Sequence, residues 1–355
     1  MNDRHTLATT RPIRIFRLLP ALILMSVPMA GATQTANAVD NAPSMFSLYL
    51  ENDLFSGSDR YYTNGIKLSW ISPDLAHFSD HASVPNWLGR LAERAPFFSD
   101  EDNRRNVTFS IGQNIYTPED TETQELIEDD RPYAGITYLG WGLHNKTLTS
   151  FESLSLILGM VGPSSFADRT QKVIHDIIGS KQPQGWDNQL EDEPVVNIAF
   201  ERRCRYRRSL GELIDIDLIP FAGLAAGTIL TGADAGVELR FGRHIPDDYG
   251  LCLIRSGCNH DAMRSRRSAF QEQIGFYFLL AVNGQAVLRN IFLDGNTFRD
   301  SHSVDKKNFV AEAGGGFGIS YGRFMLGFTY MSRTKEFEGQ EKSQEYGSVT
   351  LSVIY

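Results

Sequence analysis

Gln171 and His175 stand one helical turn apart in the stretch Phe166–Ile178. Its spacing predicts a helix with Ser164 or Ser165 as N-cap and Gly179 as stop. Side chains at i and i+4 project from one face. A histidine held on a packed helix beside a glutamine can act as a general base near neutral pH. A histidine on a solvent-facing loop helix would show the same local sequence and do no chemistry. Val173, Ile174 and Ile177 occupy the other side and are expected to pack the helix down. His77, His81, His144, His244, His260 and His302 fall in turns or polar loops with no partner nearby in sequence. A second constellation lies in Glu51–Trp70, ENDLFSGSDRYYTNGIKLSW. Glu51, Asp53 and Asp59 offer carboxylates, and Asn52 and Asn64 offer amide oxygens. Hard oxygen donors of this kind suit calcium, although the EF-hand spacing is missing. An acidic hairpin tip without a metal has the same composition.

Strands must position both groups. Phe46, Leu48 and Leu50 alternate with polar residues, and so do Ile66, Leu68 and Trp70, which is the period of half-buried strands. The turn Ser56-Gly57-Ser58-Asp59 joins them into a hairpin. Similar runs recur along the chain and give thirteen candidate segments. An outer-membrane barrel needs an even number, so twelve strands in one domain are expected. Either the Glu212–Gly242 region or a hairpin turn at Asn283-Gly284 is then the overcount. Parity places Asn52 and Asn64 on the outward, lipid-facing rows, where polar groups are costly without partners. Covering them with the Phe166–Ile178 helix would create a site on the outer wall of the barrel, open to lipid from the side. Asp53 has the opposite parity, so it must leave the strand register to join them.

The chain has 355 residues and a net charge of −9. Arg4, Arg11, Arg14 and Arg17, the apolar run Leu18–Ala30 and the Ala36-Asn37-Ala38 site make a secretory leader, expected to be cleaved after Ala38. The mature protein, 39–355, would carry about −12, from 30 Lys and Arg against 42 Asp and Glu. That balance argues against nucleic acid as a partner. No later run approaches the ~20 apolar residues of a membrane-spanning helix. Cys252 and Cys258 are close enough to pair in an oxidising compartment, which leaves Cys204 over. The chain ends on Val349, Leu351, Val353 and Tyr355 alternating with Ser348, Thr350 and Ser352. A terminal aromatic strand of this kind resembles the signal read by the barrel assembly machinery of Gram-negative outer membranes.

ENDLFSGSDRYYTNG at the hairpin, DDRPYAG at Asp129–Gly135, the His175 helix followed by GWDNQ at Gly185–Gln189, and NIFLDGNTF at Asn290–Phe298 resemble the outer-membrane lipid A 3′-O-deacylase family. The resemblance runs over essentially the whole mature chain. It implies an all-β, antiparallel twelve-stranded transmembrane barrel with a helix-bearing extracellular loop. The implied activity is calcium-dependent hydrolysis of the 3′-linked acyloxyacyl chain of lipid A in the outer leaflet. His175 resembles the family's general base, Gln171 its active-site glutamine, and Asn52 and Asp53 the Asn-Asp pair beside the metal. Asp187, Glu191 and Glu193 are candidates for an acidic partner of His175.

On this reading His175 takes a proton from water, the water attacks the ester, and calcium at Asp53 and Asn52 stabilises the oxyanion. Arg60, Lys67 and Arg131 are candidates for the sugar phosphates, because guanidinium and ammonium groups suit phosphate. The expected partners are lipopolysaccharide, the outer-membrane bilayer and the assembly machinery, with the protein acting as a monomer. An outer-membrane phospholipase would want a Ser close to a His on one strand, which is not found. A passive pore would need no calcium and should conduct ions.

Overall fold

The computed structural model describes residues 43–53, 61–95, 98, 104–211, 214–254 and 273–355. The expected leader, Asp59, Arg60 and Cys258 lie outside the described residues. Thirteen strand segments form one antiparallel sheet. They are β1 (Met45–Asn52), β2 (Tyr61–Ile71), β3 (Arg104–Thr117), β4 (Ala134–Lys146), β5 (Ser150–Val161), β6 (Glu193–Cys204) and β7 (Tyr206–Leu210). β8 (Ile214–Gly227), β9 (Leu230–Arg243), β10 (Gly275–Asn290), β11 (Phe309–Tyr321), β12 (Phe324–Arg333) and β13 (Gln344–Ile354) follow.

β1 pairs with both β2 and β13, and β6 pairs with both β5 and β8, so the sheet closes on itself. β6 and β7 are one strand broken at Arg205. The pairing with β8 runs to Arg203↔Phe221 and resumes at Tyr206↔Leu218. The gap faces Ile219 and Pro220, and proline has no N–H to give a ladder. Arg205 N donates instead to the Thr149 carbonyl at 2.7 Å. The barrel therefore has twelve strands, as expected. The surplus segment came from Asn283-Gly284, which do not turn. They lie inside β10, paired with Glu312 and Ala311 on one side and Gly236 and Ala235 on the other. Two neighbouring strands supply partners to both edges, and the outward row Phe278, Leu280, Val282 approaches the dipeptide without interruption. Tertiary pairing overrides the local turn signal here.

Alternation sorts the wall. Phe46, Leu68, Phe109, Ile111, Leu139 and Leu158 face outward and are exposed, while Ser47, Tyr49, Lys67, Glu238 and Arg240 face inward and are buried. This is the apolar-out, polar-in pattern of a barrel in lipid. No helix among the described residues is long and apolar enough to cross a membrane; the strands do so.

The lumen is polar and partly occupied. Buried ion pairs between neighbouring strands line it, such as Arg240–Asp217 at 2.7 Å and Arg333–Glu312 at 2.7 Å. The segment 245–254, which follows β9, runs along the inside. Tyr249 packs on Phe151 with ring centroids 5.1 Å apart, Leu251 N donates to Glu238 at 2.8 Å, and Ile254 N donates to Glu51 at 2.7 Å. Cys252 on this segment is disulfide-bonded and Cys204 is free. At the end where β1 finishes with Asn52, the loops 118–133, 162–192, 291–308 and 334–343 form a crown. The chain terminus lies at the opposite end.

Candidate active site

Helix α2 (Ala167–Ile178) lies in the loop between β5 and β6. It begins one residue later than a serine cap would place it. Phe166 is the N-cap, in a left-handed conformation with φ 58°. The two serines are engaged elsewhere: Ser165 Oγ donates to the Gly162 carbonyl and Ser164 Oγ to Asp192, each at 2.6 Å. Gly179, with φ 77°, ends the helix as expected, its N–H donating to the His175 carbonyl at 2.8 Å.

The helix sits on the outside of the barrel. The Ser165 carbonyl accepts from Gln113 Nε2 and Thr137 Oγ1, both at 2.7 Å, and both side chains stand on the outward face of β3 and β4. Ala167 packs with Ile115, Tyr133 and Trp186. Gly135 explains the glycine of the PYAG run, because a Cβ there would collide with the Ala167 side chain. Gly135→Val is therefore expected to lift α2 off the wall at a local cost of about 1–3 kcal/mol. Proteolysis within α2 should speed up while the barrel keeps its heat-modifiable mobility on gels.

Ala167, Gln171 and His175 form the buried face of α2, whereas Val173 and Ile177 are 56% and 57% exposed. This reverses the expected orientation, in which the aliphatic side packs the helix down. Outside a barrel the surroundings are apolar, so the aliphatic side turns away from the wall and the polar pair turns toward it.

The polar pair is held in one arrangement. His175 Nδ1 lies 2.5 Å from the Lys181 carbonyl. A carbonyl only accepts, so Nδ1 carries the proton and the ring lone pair is on Nε2. Gln171 Oε1 accepts from Trp186 Nε1 at 2.7 Å, which leaves its amide N–H groups as donors. Gln171 Nε2 is buried and has no hydrogen-bond partner among the described residues. An unmet buried donor beside a histidine is a natural acceptor site for a carbonyl oxygen.

Trp186 and Lys181 were not singled out from the sequence as site residues; the GWDNQ run carried the signal for Trp186. Tyr133 of DDRPYAG packs on Trp186 with centroids 5.1 Å apart and the rings tilted by 53°, so these two runs build one support for Gln171. Trp186→Phe, which keeps the packing and loses the N–H, should lower the turnover number roughly 10-fold with little change in KM. That is less than the ~10²–10³ of losing a transition-state donor outright. Single-turnover and steady-state kinetics would check it. The third run, NIFLDGNTF, ties down the neighbouring loop. Asn290 Oδ1 caps Phe292 N at 3.1 Å, and Phe292 stacks on Tyr116 at 4.0 Å.

Of the carboxylates considered as partners of His175, Glu193 and Glu191 meet other groups. Glu193 accepts from Thr297 N at 2.8 Å and Asn296 Nδ2 at 3.1 Å, Glu191 is exposed 3.9 Å from Arg299, and Asp187 is exposed. Burial pushes the Asp130 carboxyl up, against the pull of hydrogen bonds from Glu119 N and Arg131 N.

The other half of the site is the hairpin. Asn52 is the last residue of β1 and stands opposite Asn64. Asn64 pairs with Ile115, and Ile115 with Gly135, so one outward row crosses four strands and ends beneath Ala167. Asn52, Asn64 and α2 thus share the outer wall at the loop-rich end. Asp53 is fully buried and has already left the strand for a 3-10 turn. Beneath it Glu51 faces the lumen, accepting from Tyr62 Oη at 2.8 Å and Ile254 N at 2.7 Å. Among the described residues no cluster of three or more His, Cys, Asp or Glu side chains could hold a metal. The donors on offer are one carboxylate, amide oxygens and main-chain oxygens.

Two phosphate candidates are placed away from this wall. Lys67 points into the lumen, its Nζ 4.2 Å from the Tyr49 ring centroid. Arg131 is fully buried, 3.2 Å from Glu336 and stacked 4.7 Å over Tyr116. Both are committed to the interior. The cations that do stand on α2 are Arg169, over the Phe166 ring at 5.1 Å, and Lys172, 3.6 Å from Asp168.

The family described as outer membrane protein LpxR matches residues 18–355. LpxR from Salmonella typhimurium is similar in structure, with a TM-score of 0.69 at 18% identity, covering 88% of this chain and 100% of that one. The beta domain of the Bordetella autotransporter BrkA (TM-score 0.40, 10% identity, 89% and 99% covered) is more distant. So is the translocator domain of NalP from Neisseria meningitidis (TM-score 0.35, 8% identity, 89% and 88% covered). No curated protein sequence matches. The closed twelve-stranded barrel, the helix on its wall and a family match across nearly the entire sequence agree: this chain belongs to the LpxR family and resides in the outer membrane.

Proposed function

We propose that this protein hydrolyses the 3′-linked acyloxyacyl ester of lipid A in the outer leaflet. The observation that carries the reading is the buried Gln171–His175 pair on the lipid-facing wall, with the histidine Nδ1 fixed by Lys181. A substrate embedded in the bilayer reaches such a site sideways, past Val173 and Ile177.

The chemistry follows from the atoms. His175 Nε2 takes a proton from a water, and the water oxygen attacks the ester carbonyl carbon. Gln171 Nε2 donates to the oxygen that gains charge. Collapse breaks the bond to the sugar 3′ oxygen, which the imidazolium protonates. The products are the sugar hydroxyl and the acyloxyacyl carboxylic acid. The Asp53 carboxylate with the Asn52 amide and main-chain oxygens is a hard-oxygen donor set that fits calcium. When bound there, calcium supplies Lewis-acid stabilisation of negative charge at the ester. Arg169 and Lys172 are placed to meet the phosphates.

The terminal strand supports recognition by the assembly machinery, and its last residue is anchored: Trp70 Nε1 donates to Tyr355 Oη at 2.7 Å. We take the leader 1–38 to be removed and the closed barrel to act as a monomer. The segment 245–254, lying inside the lumen, favours an enzyme over a pore. The test offers lipid A and phospholipid together in mixed micelles and follows both by mass. Loss of the acyloxyacyl group from lipid A alone is expected. Preferential fatty-acid release from phospholipid would replace this reading with a phospholipase.

A further inference from the structure

The loop between β2 and β3 folds against the outside of the barrel, at the end opposite the candidate site. Leu75, Phe78, Val84, Ala92 and Phe98 form its small core, which packs on Val107 and Leu143. Val107 and Leu143 belong to the outward rows that carry Phe109, Ile111 and Leu139 further along. The loop is therefore laid on the wall that faces lipid. Beside it lies an aromatic cluster: the His81 ring is 5.7 Å from Trp70 and 6.1 Å from Phe109, and Trp70 stacks on Phe109 at 5.9 Å. Aromatic groups gathered at one rim of a barrel mark a bilayer interface.

Helix α1 (Asn86–Glu93) belongs to this loop. Gly89 and Ala92 are its buried positions, and Glu93 accepts from Phe78 N at 2.8 Å. The remaining face presents Trp87 and Leu91, one turn apart and 64% and 58% exposed, with Arg90 and Arg94 exposed beside them. Two large apolar side chains in open water would be unfavourable. At a headgroup layer the same set is favourable, because the rings and aliphatic groups enter the acyl boundary while the guanidinium groups meet phosphates.

We propose that α1 is an interfacial helix docked on the phospholipid leaflet opposite the one that holds lipid A, with Trp87 and Leu91 inserted and Arg90 and Arg94 on the phosphates. Continuity of the loop with the lipid-facing wall and the charge of its rim argue for phospholipid as the occupant. The inference is independent of the deacylase reading and would stand if that reading failed.

The chain has four tryptophans, and Trp87→Phe isolates one of them by difference. The full barrel is reconstituted in vesicles of phosphatidylethanolamine and phosphatidylglycerol, with acyl chains brominated either near the carbonyl or near the methyl end. The Trp87 component is expected to lose most of its intensity with shallow bromines and little with deep ones, and to resist aqueous iodide. Arg90→Glu with Arg94→Glu should shift that component to the red. Should Trp87→Phe fail to fold, Leu91→Trp reads the same face by gain of signal. Quenching by iodide with no effect of brominated lipid would overturn the proposal. So would protection from both, which would place a protein neighbour such as a second copy on this face.

Discussion

Replacing His175 by alanine is expected to lower lipid A deacylation by about 10²–10⁴-fold, the usual range for losing a general base. Only the ring Nε2 is placed to take the proton, because Lys181 fixes the other nitrogen as a donor. The fold should survive the change. α2 is held to the wall by Ala167, Ser165 and the Trp186 bond to Gln171, and none of these involves His175. Heat-modifiable mobility and thermal unfolding should match the wild type. His175→Asn, which can still donate to Lys181 from its amide, should be as inactive as the alanine variant. Full retention of order with loss of turnover would separate a chemical role from a packing one.

Asp53→Ala is expected to have the second largest effect, and chelation of calcium should reproduce it. Charge stabilisation by a metal at a reacting ester is worth several kcal/mol, so a loss of ~10²–10³-fold is expected. The two treatments should not add, because both remove the same ion. Asp53→Asn should restore little, since an amide cannot replace the carboxylate charge. Terbium luminescence that calcium displaces gives a readout in the unreacted protein separate from turnover, and Asp53→Ala should abolish it. Chelation should leave the barrel folded, because main-chain pairing of β1 with β13 closes it.

Much of the architecture was legible because a barrel wall repeats a simple pattern. Alternation at Phe46, Leu48 and Leu50 put Asn52 in their row, and the burial pattern of β1 alternates through Asn52, which stands opposite Asn64. The same parity singled out Asp53 as the residue that must leave its register to reach the outer wall; the strand ends at Asn52, and Asp53 is buried. Asn283-Gly284 misled because turn propensity is local, whereas β9 and β11 hold both edges of that segment. The orientation of α2 was misread for a different reason. A helix in water buries its aliphatic side, but this one lies against the outward face of a membrane barrel, with Val173 and Ile177 exposed and Gln171 and His175 buried. Lys67 and Arg131 carried the right charge for phosphate, yet parity already put Lys67 inside with Tyr49. Arg131 could not be placed without knowing that Glu336, two hundred residues later, lies beside it. Trp186 is visible in the sequence only as part of the GWDNQ run, since its bond to Gln171 depends on how the loop folds back.

The most direct test of the central claim is the mass of lipid A after incubation with the wild-type protein and with His175→Ala, each with and without calcium. The account predicts that wild type with calcium removes the intact 3′ acyloxyacyl unit, and that the other three samples leave lipid A at its starting mass. Undiminished 3′ deacylation by His175→Ala in the presence of calcium would contradict it.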